Sequence, residues 1–472
     1  MKRSRWTLGL AAALLATAAF DAAGQCENAN TLADIYGPGL PSFPQETRVE
    51  IRPDQSNPGA RALALAGAFL SSADDATSVV ANPAGLGAMV RPAFQLEIRP
   101  ADLVQYDRFG DGYVNRPDSA GDPYIQKDFA PSIPVFASVV FPVADKLVLA
   151  AFFQQFQGGD REVLRNGTGD LASLRRGPCY STVTTTGAPT QAFALTYDLT
   201  GQSKIWRTGA SFGFRATYQL TLGGTVYWVN EDRAFLIRGG SALGPDVTTS
   251  ITSEDDAFGF IIGAQFTPSE KLRLGLVYSH EVGLKEDKAG ADELFKETVL
   301  PMRLGFGLNF SPSSSLALSL EGVWVGTSAF KDSVNFSQAF REWDSGFFTP
   351  GDSGNPRDAK NWEASDSFEA RFGLEWSVVQ TRTTIFAVRT GYWTVSPSNL
   401  RYVGGEAQFV QNRALYDYLR ITNPNVDDPW LHHLTGGIGA VFSKKFQVDV
   451  GVDWEFAETD AVAFSALVGY TF

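Results

Sequence analysis

From about residue 91 onward, apolar and polar residues alternate with a period of two in one segment after another. In one clear segment the apolar positions are Met302, Leu304, Phe306, Leu308 and Phe310, and the intervening positions are Arg303, Gly305, Gly307 and Asn309. In another, the apolar positions are Phe446, Val448, Val450, Val452, Trp454 and Phe456, and the intervening positions are Gln447, Asp449, Gly451, Asp453 and Glu455. Successive side chains of a β-strand point to opposite faces, so the pattern predicts strands with one apolar and one polar face.

The lengths of the strands and of their connections separate a membrane barrel from a soluble sandwich. The strands run for about 9 to 12 residues, which suits a tilted crossing of a bilayer. Short connections are predicted at Val143–Lys146, Ala216–Gln219, Thr267–Glu270, Ser311–Ser314, Val379–Thr381 and Ser443–Lys445. Long polar connections are predicted at Pro100–Pro131, Gly158–Ser203, Glu231–Asp255, Val282–Val299, Thr327–Ser365 and Val395–Trp430. Alternating tight turns and long loops are typical of bacterial outer-membrane barrels.

The connections also set the number of strands. A first strand near Arg91–Arg99, six hairpins and a last strand at Ala461–Phe472 predict an all-β fold, a 14-stranded antiparallel transmembrane β-barrel. The segment Gln191–Leu199 also has a strand pattern. It is assigned either to the second long loop or to an extension of the following strand, because a fifteenth crossing would break the even number.

The N-terminus predicts export. Basic residues precede an apolar run from Trp6 to Phe20, and small residues follow as far as Gly24, which is the pattern of a signal peptide over residues 1–24. No later apolar run reaches about 18 residues, so no transmembrane helix is predicted. The expected location is the outer membrane of a Gram-negative bacterium. Cys26 and Cys179 are the two cysteines, and the sequence leaves open whether they form a disulfide.

Composition agrees with a β-barrel and narrows the partners. The chain has 46 Gly, 35 Phe, 14 Tyr and 10 Trp, and its net charge of −13 argues against binding nucleic acid. The last strand carries alternating apolar residues and ends on Phe472, which resembles the signal that the barrel assembly machinery reads. We therefore expect a monomer whose partners are outer-membrane lipids, the assembly machinery and a hydrophobic small-molecule substrate.

The segment before the first strand does not alternate. Residues 59–72, GARALALAGAFLSS, are helical in character, and Asp74 or Asp75 is placed to cap a second short helix. That helix is predicted to end near Asn82, because Pro83 disfavours the helical conformation in the residue before it.

This segment resembles the N-terminal signature of the FadL family of outer-membrane transporters of long-chain fatty acids and hydrocarbons. The resemblance rests on Gly59-Ala60-Arg61-Ala62, Gly67-Ala68, Ala73-Asp74-Asp75-Ala76 and Asn82-Pro83-Ala84-Gly85-Leu86. It implies a hatch inside the barrel, here called the plug segment (residues 59–90), after an N-terminal extension (25–58) and before the barrel (91–472). The implied gating residues are Gly59, Arg61, Gly67, Asp74, Asp75, Asn82, Pro83 and Ala84. The implied function is passive, hatch-gated uptake of hydrophobic small molecules.

Two alternatives accompany this interpretation. Similar Asp-Asp-Ala and Asn-Pro-Ala-Gly-Leu patterns occur in related barrels that act as scaffolds or accessories in protein secretion. For the plug itself, helix capping by Asp74 and Asp75 competes with a direct gating role.

Charged residues on the predicted inner face carry both signs. They are Arg273, Arg303, Glu369, Arg371, Glu375, Asp449, Asp453 and Glu455. Ion pairing among themselves or with the plug segment is the simpler account of these residues. The more specific hypothesis is that Arg303 or Arg371 receives the carboxylate headgroup of a ligand, because a guanidinium matches a planar anion.

An enzyme is not expected. The histidines are His280, His432 and His433, and Ser279 and His280 are strand neighbours that point to opposite faces, so they cannot form a catalytic dyad. No metal-ligand spacing, phosphate loop or nucleophile elbow is present in the sequence, and no cofactor or metal is predicted.

Overall fold

The computed structural model describes most of the predicted barrel and the segment before it. The described residues are 57–99, 106–107, 124–128, 135–165, 195–241, 244–285, 297–333, 336, 358–396, 401–403, 430–456 and 462–472. The signal peptide, most of the N-terminal extension, Cys26 and Cys179 lie outside these residues, as do large parts of the long connections.

Fourteen antiparallel strands form a closed barrel. They are β1 (Ala93–Ile98), β2 (Phe136–Ala144), β3 (Leu147–Arg165), β4 (Leu195–Arg215), β5 (Leu220–Ser241), β6 (Gly244–Ser269), β7 (Leu272–Ser279), β8 (Arg303–Ser313), β9 (Leu316–Val325), β10 (Ser367–Gln380), β11 (Thr384–Val395), β12 (Leu431–Phe442), β13 (Phe446–Glu455) and β14 (Val462–Thr471). Each strand pairs with its neighbours in sequence, and β1 closes the ring by pairing with β14. The predicted fold class is confirmed.

The outer surface of the barrel is apolar, as the alternation predicts. In β8 and β13 the exposed side chains include Leu304, Phe306, Phe310, Val450 and Trp454, whereas the intervening Gly305, Gly307, Asn309, Asp449 and Asp453 are buried inside. Aromatic residues concentrate near both ends of the strands. Near the loops they include Trp228, Phe258, Trp324, Phe368 and Trp454, and near the short turns Phe310, Trp376, Phe442, Phe446 and Tyr470. Two aromatic girdles around an apolar band match the two interfaces of a bilayer.

The connections follow the predicted asymmetry, but two of the predicted long loops are partly strand. In the first of them, Gly158–Ser203, β3 continues to Arg165 and pairs with β4 from Tyr197 onward. All six short connections are tight turns. Of the strand-like Gln191–Leu199 segment, residues 195–199 form the start of β4, as the second of the two predicted assignments has it, and residues 191–194 lie outside the described residues. The predicted long loop Glu231–Asp255 is wrong. There, β5 continues to Ser241 and β6 begins at Gly244, so a paired β-ribbon extends beyond the bilayer band. Backbone pairing does not require an apolar face once the strands are in water.

Shorter elements lie in the long connections. Val282–Lys285 pairs with Glu297–Leu300, Trp362–Glu363 pairs with Arg401–Tyr402, and Tyr106–Asp107 and Tyr124–Asp128 add to the loop end of β3. The region after β9 has 3₁₀ turns at Thr327–Ala329 and Ala359–Asn361 and a helical turn at Phe330–Ser333. Within the described ranges, no helix is long and apolar enough to cross a bilayer.

The plug segment lies inside the barrel and is almost entirely buried as far as Gly87. It contains α1 (Ala60–Ala64), α2 (Ser78–Ala81) and a 3₁₀ helix (Pro83–Ala88). The first helix is shorter than predicted because Ala66 and Gly67 take positive φ angles of 58° and 73°, which turn the chain out of the helix. The second helix is followed by Asn82 in extended conformation, as Pro83 requires.

Candidate functional site

The inner wall of the barrel carries glycines, which have no side chain, where the plug segment touches it. A Cβ added to Gly223 of β5 would lie 2.2 Å from the carbonyl carbon of Pro83, and one added to Gly263 of β6 would lie 2.1 Å from the Asn82 side-chain oxygen. Equivalent close approaches occur at Gly213, Gly275, Gly305, Gly373, Gly391, Gly437 and Gly451. These nine glycines, together called the glycine waist, come from nine different strands, one from each of β4 to β8 and β10 to β13. The plug backbone therefore sits directly against the wall backbone.

Wall side chains bind the polar groups of the plug backbone. Glu321 of β9 accepts hydrogen bonds from the amides of Phe69 and Leu70, both at 2.9 Å. Gln265 of β6 donates to the carbonyl of Ala73 at 2.9 Å, and Thr225 of β5 donates to that of Val79 at 2.6 Å. Ser138 and Thr435 make similar bonds to Ala76 and Ala64. Because unpaired buried backbone groups cost free energy, these side chains fix one position of the plug.

Asn82 joins three parts of the interior. Its side-chain amide donates to the carbonyl of Leu70 at 2.8 Å and to that of Ala264 in β6 at 3.3 Å. Its side-chain oxygen accepts from the amide of Ala84 and so caps the 3₁₀ helix that begins at Pro83. Asn82 thus ties the two halves of the plug segment to each other and to the wall.

Arg61 forms the main ionic contact between the plug segment and the wall. Its guanidinium binds Glu375 of β10 at 3.0 Å and Asp74 at 2.7 Å, and it lies 3.9 Å from Asp75. The surrounding carboxylates raise the pKa of Arg61 well above its usual range, although burial opposes this. Arg273 adds a second contact to Asp74 at 3.3 Å. Arg61 therefore connects the first helix of the plug segment both to Asp74, in the middle of the plug, and to strand β10 of the wall.

Asp74 and Asp75 have different roles in the structure. Asp74 is occupied by the two arginines, whereas Asp75 accepts hydrogen bonds from the amide and hydroxyl of Thr77, immediately before α2. Burial raises the pKa of the Asp75 carboxyl, and the nearby charge of Arg61 opposes that shift. The predicted cap is therefore wrong: the N-cap residue of α2 is Thr77, no side chain caps the helix, and Asp75 instead closes a turn with Thr77 just before it.

Charged residues line one side of the lumen. Arg389 of β11 binds both Glu375 and Asp449 at 2.6 Å, and His433 of β12 lies 3.2 Å from Asp453 and stacks on Trp393. On β1, buried Glu97 accepts from the amide of Gly59 at 2.7 Å. Ion pairing, the simpler of the two accounts from the sequence, is what the structure shows for Glu375, Arg389 and Asp449.

The opposite side of the lumen carries a large apolar cluster, although Arg207, Arg303 and Glu321 lie on the same side. Wall residues that point inward from β2 to β9 form one buried cluster with the plug side chains Leu70, Val79, Val80 and Leu86. The wall members include Phe136, Phe152, Ile205, Tyr227, Ile261, Val277 and Val323. Val282, Leu284 and Leu300 from the short hairpin after β7 belong to the same cluster and close it on the loop side. Hydrophobic residues thus cover the face of the plug that looks toward the loops.

A cavity of about 40 Å³ lies between the plug segment and this part of the wall. Its polar lining consists of Asn57, Arg207, Ser279, Arg303 and Glu321, and its apolar lining includes Leu70, Val80, Ile261, Val277 and Val323. Arg303 also pairs with Glu369 at 2.8 Å. A volume of this size holds a few water-sized groups and is far below that of a typical small-molecule pocket.

The residues predicted as sites fall into three places. Arg61, Asp74, Asp75, Asn82, Pro83 and Ala84 lie at contacts within the plug or between the plug and the wall, and Gly59 and Gly67 take positive φ angles there. Arg303 lines the cavity. Arg371 does not, because it is buried between Glu369 at 2.6 Å and Glu321 at 3.9 Å.

Several contact residues were not identified from the sequence. Glu97, Thr225, Gln265 and Glu321 are ordinary polar residues at inward positions of predicted strands, and only their alternation marks them as lumen-facing. The predicted opposition of Ser279 and His280 holds: Ser279 lines the cavity, whereas His280 stacks on Phe260 of the outer surface at 4.7 Å.

Comparisons with known proteins give structural matches only. No protein-family model and no curated protein sequence matches the chain. Among solved structures, a FadL homologue from Pseudomonas aeruginosa aligns with a TM-score of 0.53 at 13% identity, covering 88% of this chain and 98% of its own. The toluene transporter TbuX of Ralstonia pickettii aligns with a TM-score of 0.52 at 14% identity, covering 89% and 98%. The toluene transporter TodX of Pseudomonas putida gives 0.52 at 13%, covering 88% and 98%.

A closed barrel with an apolar, aromatic-flanked exterior and a plugged polar interior defines an outer-membrane β-barrel protein. Within that class the number of strands, the N-terminal plug and the structural matches identify the fold as that of the FadL family.

Proposed function

We propose that this protein is a channel for passive uptake of hydrophobic small molecules, such as long-chain fatty acids, across the outer membrane, and that movement of the plug segment gates it. The observation that carries the proposal is the apolar cluster of the lumen, which continues from the loop-side hairpin to the plug. An aqueous pore would instead have a polar, water-filled interior. The structurally similar toluene transporters, which carry hydrophobic cargo by name, support the same cargo class.

The small cavity makes gating a requirement of the proposal. About 40 Å³ cannot admit a fatty acid or an aromatic hydrocarbon, so cargo that reaches the cavity must displace side chains such as Leu70 and Val80. Both belong to the plug segment. Entry of cargo is therefore coupled to weakening of the contacts at Glu321 and Asn82 that hold the same stretch of backbone.

Within this proposal Arg303 is the better candidate for a carboxylate headgroup contact, because it lines the cavity and Arg371 is enclosed by carboxyl groups. The gating assignment extends to Arg61, Asp74, Asp75 and Asn82, whose contacts must break or move when the plug shifts.

A reversible covalent lock tests the gate. A Cβ at Gly307 of β8 would lie 3.3 Å from the Ser71 hydroxyl oxygen, so the pair Ser71→Cys and Gly307→Cys is close enough for a disulfide. The background carries Cys26→Ser and Cys179→Ser. In cells that lack their own transporter, uptake of radiolabelled oleate should fall to the level without the protein when the pair is oxidised, and return when a reductant is added.

Each single-cysteine variant is the matched control and should transport in both redox states. Saturable uptake that is unchanged by the lock would remove the plug from the mechanism. Uptake no greater than in cells without the protein, in every variant, would refute transport of this cargo.

A further inference from the structure

One side-chain oxygen of Glu321, a residue of the cavity lining, has no hydrogen-bond partner among the described residues. The Glu321 side chain is 1% exposed, and its Oε2 atom accepts from Phe69 and Leu70 of the plug segment. Its Oε1 atom is fully buried and receives no hydrogen bond from any described residue, and the nearest cationic nitrogen, Arg371 Nη1, lies 3.9 Å away. Leaving a buried carboxyl oxygen unsatisfied is costly, and Glu321 is part of the cavity lining.

The rest of the cavity supplies the complementary chemistry. Arg207 and Arg303 bring guanidinium donors, Ser279 brings a hydroxyl, and Ile261, Val277 and Val323 form an apolar wall beside them. A group that fits here must donate to Glu321, accept from an arginine or a hydroxyl, and carry an apolar body. We propose that this cavity is a recognition site for the hydroxyl group of an amphiphilic cargo, an alcohol or a phenol.

The inference rests on the proposed function and narrows its substrate class. A plain hydrocarbon fills the apolar side but leaves Glu321 Oε1 without a donor. A fatty carboxylate can contact Arg303, as proposed above, but offers no donor to Glu321 Oε1. A hydroxyl is both donor and acceptor, so it is the small group that pairs with both sides of the cavity.

The position of Glu321 also links recognition to the plug segment. One carboxyl group of the cavity lining holds the backbone of Phe69 and Leu70 through one oxygen, and its other oxygen receives no hydrogen bond. The cavity accommodates the hydroxyl and little more, so the apolar body of the cargo must take the place of Leu70 or Val80. A bound hydroxyl is thus anchored at the residue that restrains the plug.

Binding by purified protein in detergent tests the site with three aromatic probes of nearly equal size. These are 4-butylphenol, its methyl ether 4-butylanisole, which keeps the acceptor and loses the donor, and butylbenzene, which has neither. The wild-type protein should bind the phenol about tenfold more tightly than the ether, since one net hydrogen bond to a buried carboxyl group changes affinity by about that factor. Equal affinities for all three would overturn the proposal without any variant.

The informative variant is Glu321→Gln. Its amide oxygen can still accept from Phe69 and Leu70, but an NH₂ group replaces Oε1, so the preference for the phenol over the ether should fall to about onefold. Glu455→Gln, a lumen-facing carboxyl away from the cavity, is the control and should keep the preference. A full preference in Glu321→Gln would refute the assignment.

Uptake measured in parallel separates the two proposals. Transport of all three probes without any preference in binding would leave the channel intact and remove this site. A clear preference in binding without transport of any probe would retain the site and remove the channel.

Discussion

Gly223→Ala is the most direct perturbation of the seal between plug and wall. The new Cβ would lie 2.2 Å from the Pro83 carbonyl carbon and 2.3 Å from the Ala84 nitrogen, whereas ordinary contact begins at 3.4 Å. Both neighbours are backbone atoms, so no side-chain rotation relieves the clash. The plug must move away from β5 by about 1.2 Å, the difference between 3.4 and 2.2 Å.

A shift of this size breaks nearby hydrogen bonds. Those from Asn82 to the Ala264 carbonyl and from Thr225 to the Val79 carbonyl, at 3.3 and 2.6 Å, would stretch beyond hydrogen-bonding range. Overpacking costs about 1–3 kcal/mol and each lost bond about 1 kcal/mol. The plugged state should therefore lose about 3–5 kcal/mol relative to a displaced state, a change of about a hundredfold or more in their ratio.

Planar-bilayer conductance and limited proteolysis measure the two states. We expect Gly223→Ala to conduct ions far more often than the wild type and to expose the plug segment to protease. Gly436→Ala is the matched control, because that added Cβ meets no atom closer than 3.9 Å. Identical conductance and identical protection in wild type and Gly223→Ala would show that the wall adapts and that the steric reasoning is wrong.

Asn82, the lipid-facing surface and Asp75 each allow a further prediction. Asn82→Ala should lower the stability of the plugged state by about 2–3 kcal/mol. Asn82→Asp should lower it by at least as much, because a carboxylate then faces two carbonyl oxygens. Wild-type protease resistance in either variant would count against Asn82 as a link between plug and wall. Phe306 is lipid-facing and 54% exposed, so Phe306→Lys should lower the free energy of unfolding in lipid vesicles by about 2–4 kcal/mol. Tyr218→Lys, in a turn, is the control and should leave that free energy nearly unchanged; a urea titration measures both variants. Burial raises the pKa of Asp75 in the folded protein above its unfolded value, so the stability that depends on Asp75 is present at low pH and is lost as the pH rises from the unfolded pKa through the folded one. Protease protection of the plug segment should weaken over that pH range in the wild type and not in Asp75→Asn. An equal loss in the variant would rule out Asp75 as the cause.

Much of the barrel is predictable from the sequence, because a membrane imposes a simple rule on each crossing. Leu304, Phe306 and Phe310 must face lipid whatever lies inside, and this requirement is visible as alternation. The same reasoning failed at Glu231–Asp255. Beyond the bilayer the constraint on the outer face disappears, while hydrogen bonding between β5 and β6 continues as far as Ser241 and Gly244. Loss of alternation marks the end of the lipid contact and not the end of the strand.

The interior was predictable only in outline. The small-residue motifs indicated a plug, but its partners are set by contacts between residues far apart in sequence. Glu321 binds Phe69 across 252 positions, and Gln265 binds Ala73 across 192. A single inward-facing glutamate among others carries no local sign of this role. The individual hydrogen bonds therefore required the folded barrel.

The glycine waist and the apolar cluster give the plug segment two kinds of contact with the wall. At the waist the plug lies against wall glycines, whereas in the cluster Ile261, Val277 and Val323 pack with plug side chains such as Leu70 and Val80. A substitution in the cluster therefore alters a plug contact as well as the cavity wall. If the protein acts as the proposed channel, a change in cargo preference would come with a change in how tightly the barrel is closed.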